Sequence, residues 1–158
     1  MNGFSPHVVL ACVVERGGRF LMVEEAINGQ HVFNQPAGHW EPGETLFEGA
    51  VREVREETGW RVRLSGFIGV YEWQPETLPY PFLRLCFAAE ALGAEPAAVL
   101  DSGIIAAHWL RHEEIVALGP RLRSPAVLRS LEDYRAGQVH SLNLVRHLSP
   151  PLASRPLP

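Results

Sequence analysis

The chain has 158 residues, 46% of them apolar and 20% charged, with a formal net charge of −4. That is the size and composition of one soluble globular domain, and a chain of this length buries about two-thirds of its unfolded surface, enough for a core without staples. The acidic balance argues against a general nucleic-acid binder, which needs a basic field over the phosphates; it leaves open a small anionic substrate met by local positive charge or a bound divalent cation.

In chain order, His7 to Glu15 is valine-rich and flanked by turn signals, so it reads as a buried strand. Gly17-Gly18 predicts a hairpin, with Arg19–Glu25 as the returning strand. Ala26–His31 reads as a loop, and Val32–His39 as a short extended piece broken by Pro36. Pro42-Gly43 marks a turn within Trp40–Glu44. A helix then begins at Thr45, with Glu48 three residues on as a capping box, and ends at Thr58-Gly59, where glycine suits a left-handed terminal residue. Phe47, Val51, Val54 and the methyl of Thr58 recur at spacings of three and four and predict one buried stripe. Trp60–Trp73 and Leu83–Ala91 read as strands joined by a proline-rich link at Pro75–Pro81. Ala106–Leu110 is a further strand and His112–Leu118 a short helix. Ser124–Arg135 is a second long helix, with Ser124 as cap, Pro125 in the first turn and Gly137 past the end.

The tail Ser149–Pro158 carries four prolines and is expected to be poorly ordered. Residues 1–148 are expected to form a single domain, with no internal repeat. Helices and strands mix without strict alternation, which predicts an α/β fold with a mixed sheet between helices. Cys12 and Cys86 lie in the apolar runs Val8–Val14 and Leu83–Ala89, as expected of buried thiols, and no CxxC or Cys/His metal pattern is present. Met1–Pro6 lacks the features of a signal peptide, and no apolar run reaches the roughly 18 residues of a membrane span, so a cytoplasmic location is expected; a monomer is expected as well.

The chemistry concentrates on the first helix. At about 100° per residue, Glu53, Glu56 and Glu57 fall within an arc of roughly 100°. Like charges so placed repel by a few tenths of a kcal/mol per pair, and a divalent cation removes that repulsion. Ligation by carboxylates alone suits magnesium or manganese. Arg52 stands four residues after Glu48 and four before Glu56, and can bridge to either. Taken alone, this fragment reads equally well as a solvated helix with ordinary surface ion pairs.

The longer segment Gly38–Trp60, GHWEPGETLFEGAVREVREETGW, resembles the Nudix box, G-x5-E-x7-R-E-U-x-E-E-x-G-U. Gly38, Glu44, Arg52, Glu53, Val54, Glu56, Glu57 and Gly59 match its fixed positions, and Trp60 departs only in being aromatic where an aliphatic residue is commoner. The strand–loop–helix context is the one the motif requires. The resemblance implies a Nudix-type α/β/α sandwich. It implies a metal shell of the Gly38 carbonyl, Glu56 and Glu57, with Glu53 binding metal or helping to deprotonate water. It also implies a bracing pair, Arg52 and Glu44.

Pro6–Val8, Val23–Glu25, Asn28-Gly29, Asn34–His39, Pro81–Arg84, Asp101-Ser102 and Arg123–Pro125, in this order and spacing, further resemble the NudJ-type phosphatases. That resemblance implies hydrolysis of nucleoside tri- and diphosphates, hydroxymethylpyrimidine pyrophosphate and thiamine pyrophosphate, with release of orthophosphate. The alternatives are a pyrophosphatase cutting an internal anhydride and a Nudix-fold binding module without catalysis. The module would be expected to lack a box glutamate, and this chain keeps all of them.

Outside the box, Arg84 is the best further phosphate contact, because a charge inside an apolar strand needs a partner; a salt bridge or a solvent-facing position is the bland alternative. Trp73, Tyr80 and Phe82 could stack a pyrimidine or other base, or simply pack. His39 is expected to be a polar strand-end residue and not a ligand. Asp101 and Glu90 are both open as a further acid.

Overall fold

The computed structural model describes residues 5–149. Beyond its first residue, the proline-rich tail lies outside the described residues. The elements are β1 (His7–Arg16), β2 (Arg19–Ile27), β3 (Gln30–Asn34), β4 (Ala37–His39), α1 (Leu46–Thr58), β5 (Trp60–Trp73), β6 (Phe82–Ala94), β7 (Ile104–Leu110), α2 (His112–Leu118) and α3 (Pro125–Arg135).

The valine-rich β1 is central because both of its faces are apolar. Leu10, Cys12 and Val14 join one core with Val54 of α1 and Phe87 of β6, while Ala11 and Val13 join the other with Ile115 of α2 and Val127 and Leu131 of α3. Helices therefore cover both sides of one sheet, the sandwich expected from the sequence. Fully burying one such Leu or Val side chain contributes about 1.5–3 kcal/mol, so the two cores on either side of β1 fix the layer order.

The sheet runs β3-β2-β1-β6-β5, with β4 added to β1 and β7 to β2. It is mixed: β1 and β6 pair in parallel from His7↔Phe82 to Glu15↔Glu90, and the other pairs are antiparallel. β1 and β2 pair only beside their turn, at Glu15↔Phe20 and Arg16↔Arg19. Further along, β1 takes β4 as its neighbour and β2 takes β7. The two strands thus part like a fork, and the opening between them carries the site.

The loop expected at 26–31 shrinks to Asn28-Gly29, since β2 and β3 continue pairing to Ile27↔Gln30. α1 keeps its capping box, with the Glu48 N–H donating to Thr45 Oγ1 at 3.1 Å and the Thr45 N–H donating to Glu48 Oε2 at 2.7 Å. Gly59 closes it at φ +71°, a conformation open to glycine at little steric cost. The buried stripe needs correction. Its buried members are Gly49, Ala50, Glu53, Val54, Glu57 and Thr58, whereas Phe47 and Val51 are half-buried at its flank. The helix lies against β4 as well as β1, and this draws its carboxylate edge inward. Among the described residues no helix is long and apolar enough to cross a membrane.

Candidate active site

Arg52 is the hub of the loop-and-helix unit. Its Nε and Nη2 donate to the two oxygens of Glu44 at 2.9 and 2.8 Å, and Nη2 also donates to the His39 carbonyl at 3.1 Å. Its Nη1 donates to Glu53 Oε1 at 2.6 Å and to Glu56 Oε2 at 3.0 Å. Glu44 in turn accepts the Glu41 N–H at 2.9 Å, and its carbonyl accepts the Trp40 indole N–H at 3.0 Å. One planar guanidinium therefore ties the Trp40–Glu44 turn to the helix. The hydrogen bonds from Arg52 hold the Glu44 carboxyl below the ordinary range, and those carboxylates raise the Arg52 guanidinium still further.

The box carboxylates divide into two environments. Glu53 and Glu57 are only 7% and 6% exposed, unusual for ionisable groups. Burial raises Glu53, partly offset by Arg52. Burial pushes Glu57 up to about 8, partly offset by the Ala37 N–H, which donates to Glu57 Oε2 at 2.8 Å. Glu56 is more open.

Asp101, on the loop before β7, donates its backbone N–H to the Glu56 carbonyl at 3.1 Å. That contact brings Glu53, Glu56 and Asp101 together, each offering an oxygen within 4.8 Å of the others. This donor set is all oxygen and suits a hard divalent cation. Gly38 completes the enclosure: a Cβ there would collide with the Glu53 carboxyl, so the strand can approach the helix only without a side chain. Of the two acids left open by the sequence, Asp101 joins the cluster. Glu90 is exposed and pairs with Arg63 at 2.5 Å. No local spacing links Asp101 to a helix more than forty residues earlier in the chain; only the tertiary contact identifies it.

Next to the carboxylates, in the fork of β1 and β2, lies a cavity of about 240 Å³. Ala37 and His39 form its near wall, and Trp73, Phe82 and Arg84 are among its other lining residues. The Trp73 and Phe82 rings lie 27° apart in plane with centroids at 6.0 Å. Tyr80 stands one ring further out, stacked on His7 at 4.2 Å. His39 sits at the end of β4 as expected, its Nε2 2.8 Å from His7 Nδ1. Burial, followed by the neighbouring His7, lowers its pKa.

Arg84 is not solvent-facing; it is 6% exposed. Its Nη1 donates to Asn34 Oδ1 at 3.1 Å and its Nη2 to Gln35 Oε1, and Gln35 is itself anchored on the Val127 carbonyl at 2.7 Å. Neutral amides, not a carboxylate, hold this buried charge, and burial lowers its pKa. Glu25 of β2, Arg123 and Ser124 also border the cavity; the sequence marked them only as parts of resembling segments, with no role at the site.

Comparison with known proteins agrees with this geometry. The NUDIX domain family model matches residues 5–131. The chain is 45% identical to Phosphatase NudJ of Escherichia coli over 143 residues, covering 90% of this chain and 92% of that protein. It is similar in structure to a NUDIX hydrolase from Nitrosomonas europaea, with a TM-score of 0.88 and 36% identity over 91% of this chain and 98% of that one. A UDP-X diphosphatase shares the fold at a TM-score of 0.68 and 16% identity, covering 84% of this chain and 64% of that one. The chain belongs to the NUDIX domain family and is a hydrolase of phosphoanhydride bonds.

Proposed function

We propose that this hydrolase removes the terminal phosphate from small phosphorylated compounds. These are nucleoside tri- and diphosphates and the pyrophosphates of hydroxymethylpyrimidine and thiamine, and the reaction depends on magnesium, with manganese as a substitute. The observation that carries this reading is the placement of the Glu53, Glu56 and Asp101 cluster beside a cavity lined by Arg84, Trp73 and Phe82. The 45% identity to proteins named Phosphatase NudJ supports it.

Glu53, Glu56 and Asp101 would hold the cation, with Glu57 and the Gly38 carbonyl next to them. When bound, a divalent cation there neutralises phosphate charge and makes a nearby water more acidic. Glu53 is the proposed acceptor of the proton from water, and the hydrogen bond from Arg52 to Oε1 keeps it aimed. Glu57 is fixed by the Ala37 N–H. Glu44 and Arg52 brace the loop so that the carboxylates keep their positions, the part played by supporting residues around a metal site. Trp73 and Phe82 offer apolar ring surface to the organic part of the substrate, with Tyr80 supporting Phe82 from outside.

The test is a panel of these compounds assayed separately for orthophosphate and pyrophosphate, with magnesium and with excess chelator. Orthophosphate formation that stops in chelator and returns with magnesium is the expected result. Full activity in chelator refutes the metal-dependent reading.

A further inference from the structure

Among the described residues, two buried side-chain polar atoms have no hydrogen-bond partner: Glu25 Oε2 and Arg84 Nε. Both residues line the same cavity. Buried polar atoms are nearly always paired, and leaving one unpaired is costly. Here the two are of opposite kinds, one acceptor and one donor, on one wall system.

Each arises for a structural reason. Both terminal nitrogens of Arg84 are engaged by the Asn34 and Gln35 amide oxygens. The two-pronged grip that a guanidinium makes on a phosphate uses such nitrogens, and Nε is the one nitrogen of Arg84 left with no partner. Glu25 stands where the β2–β7 register shifts, between Glu24 and Glu25, and such irregularities re-aim a side chain. Arg123 Nη1 lies 4.0 Å from Glu25 Oε2, too far for a hydrogen bond. Trp73 and Phe82 line the same space, and its volume of about 240 Å³ suits one planar ring with a substituent.

We propose that Glu25 Oε2 and Arg84 Nε together read the edge of a planar nitrogen heterocycle, the carboxylate accepting from a ring or exocyclic N–H and the guanidinium donating to the adjacent lone pair. This rests on the reading above, in which the organic part of the substrate enters the cavity and its phosphates lie toward the carboxylate cluster. Amidine-type pyrimidines such as cytosine and lactam-type pyrimidines such as uracil both present an adjacent donor and acceptor. An inorganic polyphosphate presents no such edge. A site with buried polar groups discriminates by leaving them unpaired with the wrong ligand.

The test is binding to the full chain, followed by tryptophan fluorescence in excess chelator, where the proposed turnover does not consume the probes. The probes are cytidine diphosphate and its N4,N4-dimethyl derivative, and uridine diphosphate and its N3-methyl derivative. The expected result is a Kd at least about tenfold weaker for the methylated member of one pair or both. A penalty confined to the cytidine pair assigns the amidine edge, and one confined to the uridine pair the lactam edge. In Glu25→Leu, and independently in Glu25→Ala, the methyl penalty should vanish. Should both variants fail to fold, the wild-type methyl series decides alone. Equal binding of methylated and unmethylated probes to the wild type, or no binding of either, overturns the proposal. Probes that bind with the penalty but are not cleaved leave the edge-reading pair standing and refute the hydrolytic reading of the cavity.

Discussion

Arg52 grips both oxygens of Glu44, through Nε at 2.9 Å and Nη2 at 2.8 Å, while its remaining nitrogen holds Glu53 and Glu56. The brace and the carboxylates it aims therefore hang on one side chain. Arg52→Ala should lower kcat by about 10–100-fold, the usual cost of losing a supporting contact at a metal site. Arg52→Lys should recover little, because an ammonium cannot reproduce the planar fork. Thermal melts alongside kinetics check this: a large fall in Tm with unchanged kcat in the folded fraction means the pair is structural only.

Glu57→Gln keeps the size of the side chain and its acceptor oxygen for the Ala37 N–H, and removes the charge. Turnover should fall by at least about 10²-fold, the scale seen when a group that stabilises the transition state is lost. Metal-free stability should rise above about pH 8, where the buried carboxyl is charged and carries a desolvation cost that an amide largely escapes. Wild-type turnover in this variant would count against placing Glu57 in the catalytic machinery.

The same burial predicts a pH dependence. In the metal-free protein Glu57 is pushed up to about 8, against an ordinary value of 4.5. Between those values the folded state keeps a proton that the unfolded chain has released. The stability from this group is therefore complete below the ordinary value and is lost as pH rises through about 8. Burial raises Glu25 and Glu53 in the same direction. A divalent cation competes with these protons. In chelator, Tm should fall from about pH 5 to about pH 9, and the gain in Tm on adding magnesium should grow over the same window. A magnesium effect that does not change with pH would sink this account.

The parts of the site legible in the sequence are those whose partners are near in the chain. The Thr45–Glu48 box, Gly59 and the Arg52–Glu44 pair are set by helical spacing and a short loop, and all three are seen. Burial of Glu53 and Glu57 was not legible. Periodicity places the apolar arc of α1, but the packing of α1 on β4 decides which edge faces inward. Asp101 stayed open beside Glu90, and Glu25 carried no assigned role, because each acquires its neighbours from a distant strand or loop. Arg84 stood out as a charge in an apolar strand, yet its partners proved to be two neutral amides at Asn34 and Gln35. A strand pattern shows that a charge needs company without showing which.

Asp101→Asn tests the acid that lies outside the Nudix box. It sits within 4.8 Å of Glu53 and Glu56 through their carboxylate oxygens, and its backbone contact to the Glu56 carbonyl survives the substitution. The magnesium concentration giving half-maximal activity should rise by about 10–100-fold with little change in metal-free Tm. An unchanged magnesium requirement would place Asp101 outside the metal shell.

The products decide the register of the substrate. Attack near the nucleoside of a triphosphate yields the monophosphate and pyrophosphate; attack at the terminal phosphorus yields the diphosphate and orthophosphate. The helix carboxylates are silent on this choice, because they set where water is activated and not which phosphorus stands there. In the proposed reading the cavity sets the register. Ala37 and His39 line it, while Gly38 between them backs onto Glu53, so the ring pocket and the carboxylates occupy neighbouring positions on β4. A ring held on the Trp73 and Phe82 wall with its phosphate chain directed away from that wall would present the far end of the chain to the carboxylates. Direct release of orthophosphate from both GTP and GDP is the expected outcome, measured without auxiliary phosphatase or pyrophosphatase. Pyrophosphate as the main product from GTP, with GDP left uncut, would overturn this register and leave the hydrolase assignment intact.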